Sequence, residues 1–555
     1  MKLFRNLLLS AFLLLSGQAS QVPAQTPVEG LRAIQTYISS SWDILTRSMT
    51  RCDSVVDPKI SAPSVLYLPS DFPTPASVEQ LQRNCKVEVK HLPTAVTRPG
   101  EIDPEKVQPA GLLFLEQNYV VPGGRFNEMY GWDSYFIILG LLRDSRIELA
   151  QGMVNNFFFE IAHYGTVLNA NRTYYLTRSQ PPFLTSMILA VYDKGPGQAW
   201  LATAYAAAEK DYQMWTRAPH LAGNTGLSRY YDFGNGPVPE GLKDESGYYR
   251  RVAAYFLEHP SSTPVLVESH DGNPGSSEPN ENAIGPMFKL QLCEMAASGE
   301  KCEPMKKLSL SRDFYKGDRA MRESGFDISF RFGPYSAETH HYAPVCLNSL
   351  LYKTEKDLEH MSQLLGKSQE AAKWRKRAQL RKQRINQFLW DRKRGLFFDY
   401  NFETGKRSQY EYGTTLYPLW AGLASREQAL AVRKNLGIFE QAGGLAMSRT
   451  GSGVQWDFPY GWAPIQLLGV KGLRRYGFNA DADRISYKFL SMVIENFQRD
   501  GTIREKYNVV ARSSETKVAT GYHSNEVGFG WTNGVFLELL SDLPAKSIKS
   551  PIGEQ

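Results

Sequence analysis

The sequence predicts a mainly α protein in which helical hairpins stand in a ring and the loops at one end converge on a central pocket. Three observations carry this. Apolar residues recur at steps of three and four over several long stretches, the period of an amphipathic helix. Strand signals are few, the best being the stretch from Gly395 to Tyr400. No short repeat is visible, which argues against a helical solenoid, whose units return at a fixed period.

The elements follow in order. A helical stretch is expected near Gly30 to Met49. From Asp144 to His163, the positions Ile147, Ala150, Val154, Phe157 and Ile161 step by three and four, and Gly165 follows as a stop signal. Leu351, Leu358, Met361 and Leu365 mark another helix, closed by Gly366. Ala371, Trp374, Ala378, Ile385 and Phe388 form the apolar stripe of a further one. Its dense basic run, from Lys373 to Arg384, then lies on the solvated face, so no nucleic-acid partner is expected. Ser425 with Gln428 makes a capping box for a helix reaching about Leu436. A last clear helix runs from Asn479 to Phe497 and ends before Gly501.

The N-terminus has a different character. Lys2 and Arg5 precede an apolar run from Leu7 to Leu15, and small or polar residues follow through Ser16, Gly17, Ala19, Ser20 and Ala24. This reads as a secretory signal peptide over residues 1–24, and hence as a secreted or periplasmic protein. The run is too short to span a bilayer, so no membrane insertion is expected after its removal. Residues 25–110 are Pro-rich and irregular, an extension expected to pack on a main domain at 111–545. Of five cysteines, close spacing makes Cys52–Cys85 and Cys293–Cys302 the natural pairs and leaves Cys346 over.

The loops between helices carry the chemistry. Pro122-Gly123-Gly124-Arg125-Phe126-Asn127-Glu128-Met129-Tyr130-Gly131-Trp132-Asp133 presents a cation, carboxylates and an indole within a few residues. Such a set can bind sugar hydroxyls while the ring covers the apolar face. Asn169 to Pro182 is dense in hydrogen-bonding groups, and Gln455-Trp456-Asp457-Phe458-Pro459-Tyr460-Gly461-Trp462 again couples an Asp to Trp. Aromatics make up 12% of the chain, with 29 Tyr and 10 Trp, which suits sugar binding. The net charge of +6, spread over 555 residues, is a weak field.

These segments resemble the signature motifs of the trehalases, the glycoside hydrolases that split α,α-trehalose, and the similarity runs from about residue 110 to 540. The resemblance implies an (α/α)6 barrel and an inverting hydrolysis of trehalose, a small disaccharide, to two glucose molecules. It nominates Asp327, in Glu323-Ser324-Gly325-Phe326-Asp327, as general acid and Glu505, in Arg504-Glu505-Lys506-Tyr507, as general base. An inverting pair stands roughly 6.5–9.5 Å apart, leaving room for water. Arg125, Trp132, Asp133, Asn169, Arg178, Ser179, Gln180 and Gly325 occupy positions matching the family's binding residues, and Glu240 and Glu526 are further candidates.

Some positions depart from the family pattern. An Arg-Pro-Glu triplet becomes Val238-Pro239-Glu240, so one sugar-contacting arginine is missing, unless Arg229 or Arg250 reaches the same space. The departure leaves an inverting glucosidase for another small α-glucoside as an alternative to a trehalase; a non-catalytic sugar-binding protein is a separate alternative, against which both carboxylates argue. No phosphate loop or His/carboxylate metal cluster is read from the sequence, so no cofactor and no metal is expected. A monomer is expected.

Overall fold

The computed structural model of the chain describes residues 27–57, 63–240, 247–261, 264–268, 283–296, 299–518 and 525–544. Twelve helices among them alternate between two layers. In chain order they are α1 (Pro27–Leu45), α2 (Asp133–Arg143), α3 (Ile147–His163), α4 (Leu184–Tyr192), α5 (Gln198–Trp215) and α6 (Val345–Leu364). Then come α7 (Ser368–Phe388), α8 (Tyr417–Trp420), α9 (Arg426–Lys434), α10 (Ala463–Arg475), α11 (Asn479–Asp500) and α12 (Gly530–Asp542).

The even-numbered helices touch one another in sequence, and α12 returns to α2, so the inner ring closes. Outside it, α3 packs on α2 and α4, α5 on α4 and α6, α7 on α6, and α11 on α10 and α12. The last outer place is filled by α1, which lies against α11 and α12. This is the (α/α)6 barrel that the sequence predicts. Trp42 of α1 is fully buried. The stretch expected as an irregular extension thus contributes the twelfth helix of the double ring.

Ring closure is tight. A Cβ on Gly534 of α12 would fall 2.0 Å from the Phe136 carbonyl oxygen of α2, and one on Gly140 would fall 2.5 Å from the Gly534 Cα. Only glycine lets the two backbones meet so closely.

Local signals decide several boundaries. The Ser425–Gln428 capping box forms at the start of α9. The first predicted stretch is a helix from Pro27 to Leu45, ending earlier than expected. The sequence reading did not find a parallel sheet in which Ser64–Leu68 pairs with both Val87–His91 and Leu112–Leu113. Every residue of Ser64–Leu68 is buried, so its apolar run does not alternate and shows no strand period. A second sheet joins Leu266–Glu268, Ala283–Leu290 and Lys306–Ser311 beside the barrel. Cys52–Cys85 and Cys293–Cys302 are bonded, and Cys346 is a buried thiol.

Candidate active site

A cavity of about 600 Å³ opens where the inner helices α2 and α12 begin. Its wall includes Arg125, Trp132, Asp133, Asn169, Arg178, Gln180, Glu240, Gly325, Asp327 and Glu505, ten of the residues singled out from sequence. Ser179 and Glu526 are not part of the lining. The Ser179 hydroxyl donates to the Val167 carbonyl, and Glu526 stands 3.2 Å from Arg125 as an ion pair.

Indole rings form one wall. Trp132 packs against Trp531 at 5.7 Å, Trp456 at 5.8 Å and Phe326 at 5.6 Å between centroids. Trp456 in turn stacks on Trp462 at 3.9 Å. Gly325 lies against Trp132 with φ +75°, and a Cβ there would come within 2.9 Å of the indole. A glycine is therefore required both by backbone conformation and by the ring.

The segment bearing Asp327 is clamped by the Gln455-Trp456-Asp457 loop. Gln455 donates to the Asp327 carbonyl, the Trp456 amide donates to the Ile328 carbonyl at 3.1 Å, and Asp457 accepts from the Phe330 amide at 3.0 Å. That motif thus holds the neighbouring segment in place. Burial pushes the Asp457 carboxyl up to about 6, against the hydrogen bond it accepts from Ser452.

Glu505 is fixed from the other side. The strand Lys506–Asn508 pairs antiparallel with Tyr460–Trp462, placing Trp462 opposite Lys506. The Lys506 ammonium lies 3.0 Å from Glu505 Oε2, and Trp531 Nε1 donates to the Glu505 carbonyl at 3.1 Å. Asp133, the first residue of α2, is held well above the usual carboxylate range by burial and then by the charge of Glu505, with Asp327 adding to it. Asp133 thus feels both of the other carboxyl groups.

A cationic wall faces them. Arg178 pairs with Glu240 and lies 3.8 Å from Asp232, which Arg319 meets at 3.0 Å. Burial works against the Arg178 charge, and its neighbours together, Glu240 foremost and Asp232 among them, outweigh it. Burial likewise opposes the Glu240 charge, but Arg178 and Arg322 hold its carboxyl below the ordinary value. Behind this wall Glu323 accepts from the amides of Ser179 and Tyr231 and meets His220 at 3.3 Å, tying three segments together.

The arginine question has a geometric answer. Val238 is fully buried in a core cluster, its amide donating to Tyr249 Oη. Neither Arg229 nor Arg250 lines the cavity; Arg229 instead donates to the carbonyls of Pro219 and His340. Arg322, buried beside Asp318 and acting on Glu240, is a further cation in the wall. Sequence reasoning missed it, although it directly precedes the Glu323-Ser324-Gly325 segment. Trp456 and Trp531 were also left out, though both sit in quoted motifs.

The trehalase family profile matches residues 27–261 and 291–544. A probable trehalase from Eremothecium gossypii is 36% identical, over 92% of this chain and 72% of its own. A cytosolic neutral trehalase from Saccharomyces cerevisiae is 35% identical, over 92% of this chain and 71% of its own. Among solved structures, neutral trehalase Nth1 from Saccharomyces cerevisiae superposes with a TM-score of 0.74 at 32% identity, covering 94% of this chain and 96% of that one.

These relatives correct the expectation of a signal peptide and of a secreted or periplasmic protein. Several of them, from Saccharomyces cerevisiae, Neurospora crassa and Kluyveromyces lactis, are named cytosolic neutral trehalases, which points to the cytosol. Residues 1–24, whose composition suggested export, lie outside the described residues. A charged start and a short apolar run are a compositional signal, carried by far fewer positions than a match along the folded chain. Among the described residues no helix is long and apolar enough to cross a membrane. With the profile matched along most of its length and the barrel shared with a solved relative, the chain belongs to the trehalase family of glycoside hydrolases.

Proposed function

We propose that the chain hydrolyses α,α-trehalose to two molecules of glucose, with Asp327 as general acid and Glu505 as general base. The relatives' names supply the substrate. The observation that carries the residue roles is that both carboxyls open onto one cavity, against an indole wall and an arginine wall. Its volume of about 600 Å³ lies within the usual range for small-molecule sites.

The chemistry is a single displacement. Asp327 gives its proton to the glycosidic oxygen as the bond to the anomeric carbon breaks. Glu505 takes a proton from a water molecule as that water's oxygen bonds to the same carbon from the opposite face. One glucose leaves with its α configuration and the other is released as β. Asp133, whose carboxyl is pushed up by burial and then by the charge of Glu505, hydrogen-bonds a sugar hydroxyl. Arg125, Asn169, Arg178, Gln180 and Glu240 hold hydroxyls, and Trp132 covers an apolar sugar face. Arg322 supplies the cation that Val238 does not. Ser179 and Glu526 act through neighbours, Ser179 by holding its loop and Glu526 by orienting Arg125. No cofactor enters this reaction. We expect a monomer, which light scattering after gel filtration tests.

Proton NMR of the first turnovers tests the reading. Trehalose should give equal α- and β-glucose before mutarotation, with maltose, sucrose and kojibiose left nearly untouched. Two α-glucose molecules at the outset would overturn inversion, and preferred cleavage of another disaccharide would overturn the substrate.

A further inference from the structure

Away from the cavity, the helix Arg312–Glu323 begins beside the tight turn Thr339–His341, and three side chains meet there. His340 Nε2 is 2.9 Å from Asp313 Oδ1, and His341 Nε2 is 3.8 Å from the same oxygen. One ligand atom from each residue lies within 4.8 Å of the other two. We propose that Asp313, His340 and His341 bind a divalent ion of the zinc class.

The distances favour it. Ligand atoms bonded at about 2.0–2.1 Å around a tetrahedral ion stand roughly 3.3 Å apart. The two distances to Asp313 bracket that value. The backbone already holds both histidines. Arg229 donates to the His340 carbonyl at 2.8 Å, and the Phe402 amide donates to the His341 carbonyl at 3.0 Å. The two imidazole rings lie 3.9 Å apart between centroids and turn toward one carboxylate.

A simple ion pair between Asp313 and His340 would account for one imidazole only. It leaves unexplained why a second imidazole lies tilted against the first and near the same oxygen. His340 is 5% exposed, and its Nδ1 has no hydrogen-bond partner. The side chains of His341 and Asp313 are 24% and 45% exposed, which leaves an entry path and room for water as a fourth ligand. Two imidazoles and one carboxylate suit zinc, cobalt or nickel better than calcium or magnesium, which prefer oxygen alone.

The ion would join the first turn of the helix carrying Arg322 to a turn that otherwise meets it by side-chain contacts. Asp313 precedes Arg322 by about 14 Å of helix rise, and none of the three ligands lines the cavity. The site is therefore a clamp on the scaffold, apart from the carboxylates.

Calorimetry with zinc chloride on the chelator-treated full chain tests this, alongside cobalt absorption and thermal unfolding. One equivalent should bind, and the cobalt form should show visible d–d bands. Zinc at a hundredfold its dissociation constant should raise Tm by about 2–3 °C. His341→Ala and Asp313→Asn should each weaken binding about tenfold or more while keeping the metal-free Tm. Asp313→Asn keeps a hydrogen-bond acceptor for His340, so loss of zinc binding there separates coordination from simple pairing. No stoichiometric binding to the unaltered chain, or equal binding in both variants, would overturn the proposal.

Discussion

The ammonium of Lys506 lies 3.0 Å from Glu505 Oε2, and both side chains are buried. A buried lysine needs a partner, and here the partner is the proposed base. Lys506 also sits 5.2 Å above the Trp462 ring, across the strand pairing that fixes both. Its charge balances Glu505 in a cavity that Asp133 and Asp327 also face. Lys506→Met should lower kcat by about 10²-fold, because it strips the proposed base of its buried counter-charge. An unchanged kcat would show that Lys506 only fills space.

Removing either proposed acid–base group should leave a folded protein with little turnover. Asp327→Asn and Glu505→Gln should each cost about 10²–10⁴-fold in kcat, with the far-UV spectrum unaltered. Near-normal glucose release from either variant would refute its role.

Arg322 and Val238 give opposed expectations. Arg322→Ala should lower kcat/KM on trehalose by about 10-fold or more, since it removes a charge-assisted contact and leaves Glu240 with Arg178 alone. Arg229→Ala should keep kcat/KM within about threefold, because its guanidinium serves backbone carbonyls away from the cavity. Val238→Arg should not improve catalysis. It buries a charge in the core and should destabilise the fold by about 3 kcal/mol or more.

Asp457 makes stability depend on pH. Its carboxyl is raised to about 6 in the fold from an ordinary 3.8, so the folded chain binds this proton more tightly than the unfolded chain does. The contribution is complete below pH 4 and is lost as pH rises to about 6, by up to roughly 3 kcal/mol. Denaturation of Asp457→Asn across that interval should show a correspondingly flatter profile. Parallel profiles for the two proteins would sink the assignment.

Gly325→Ala should fail for two reasons at once, a strained φ of +75° and a methyl against Trp132. A loss of about 1–3 kcal/mol in stability is expected, with a larger drop in kcat because the ring wall shifts. Wild-type melting and turnover together would contradict this.

Much of the barrel is legible in the sequence because amphipathic helices declare themselves through local spacing. Asn479 onward and Ser368 to Phe388 are such cases, with an apolar face set against an inner helix. The parallel sheet is not legible, since Ser64–Leu68 is buried on both faces and lacks alternation. Nor is the place of α1, whose outer-layer seat depends on helices near the other end of the chain. In the site, long motifs bring Trp132, Asp133, Arg178 and Asp327 to notice. Arg322 escapes because a helical arginine looks like any solvated charge until the fold turns it toward Glu240. The position of Val238 misleads for the converse reason, its side chain facing the core.

The touching glycines Gly140 and Gly534 also bear on timing during synthesis. The first inner helix leaves the ribosome early, yet its closest companion is among the last segments made. Until then a nascent chain carries an open groove where α12 will lie, and Trp132 lacks Trp531 beside it. The indole wall therefore cannot mature piecemeal, and a polypeptide stalled before Gly530 has no finished pocket. Catalytic competence arrives in one late step, when the final stave drops into the cask.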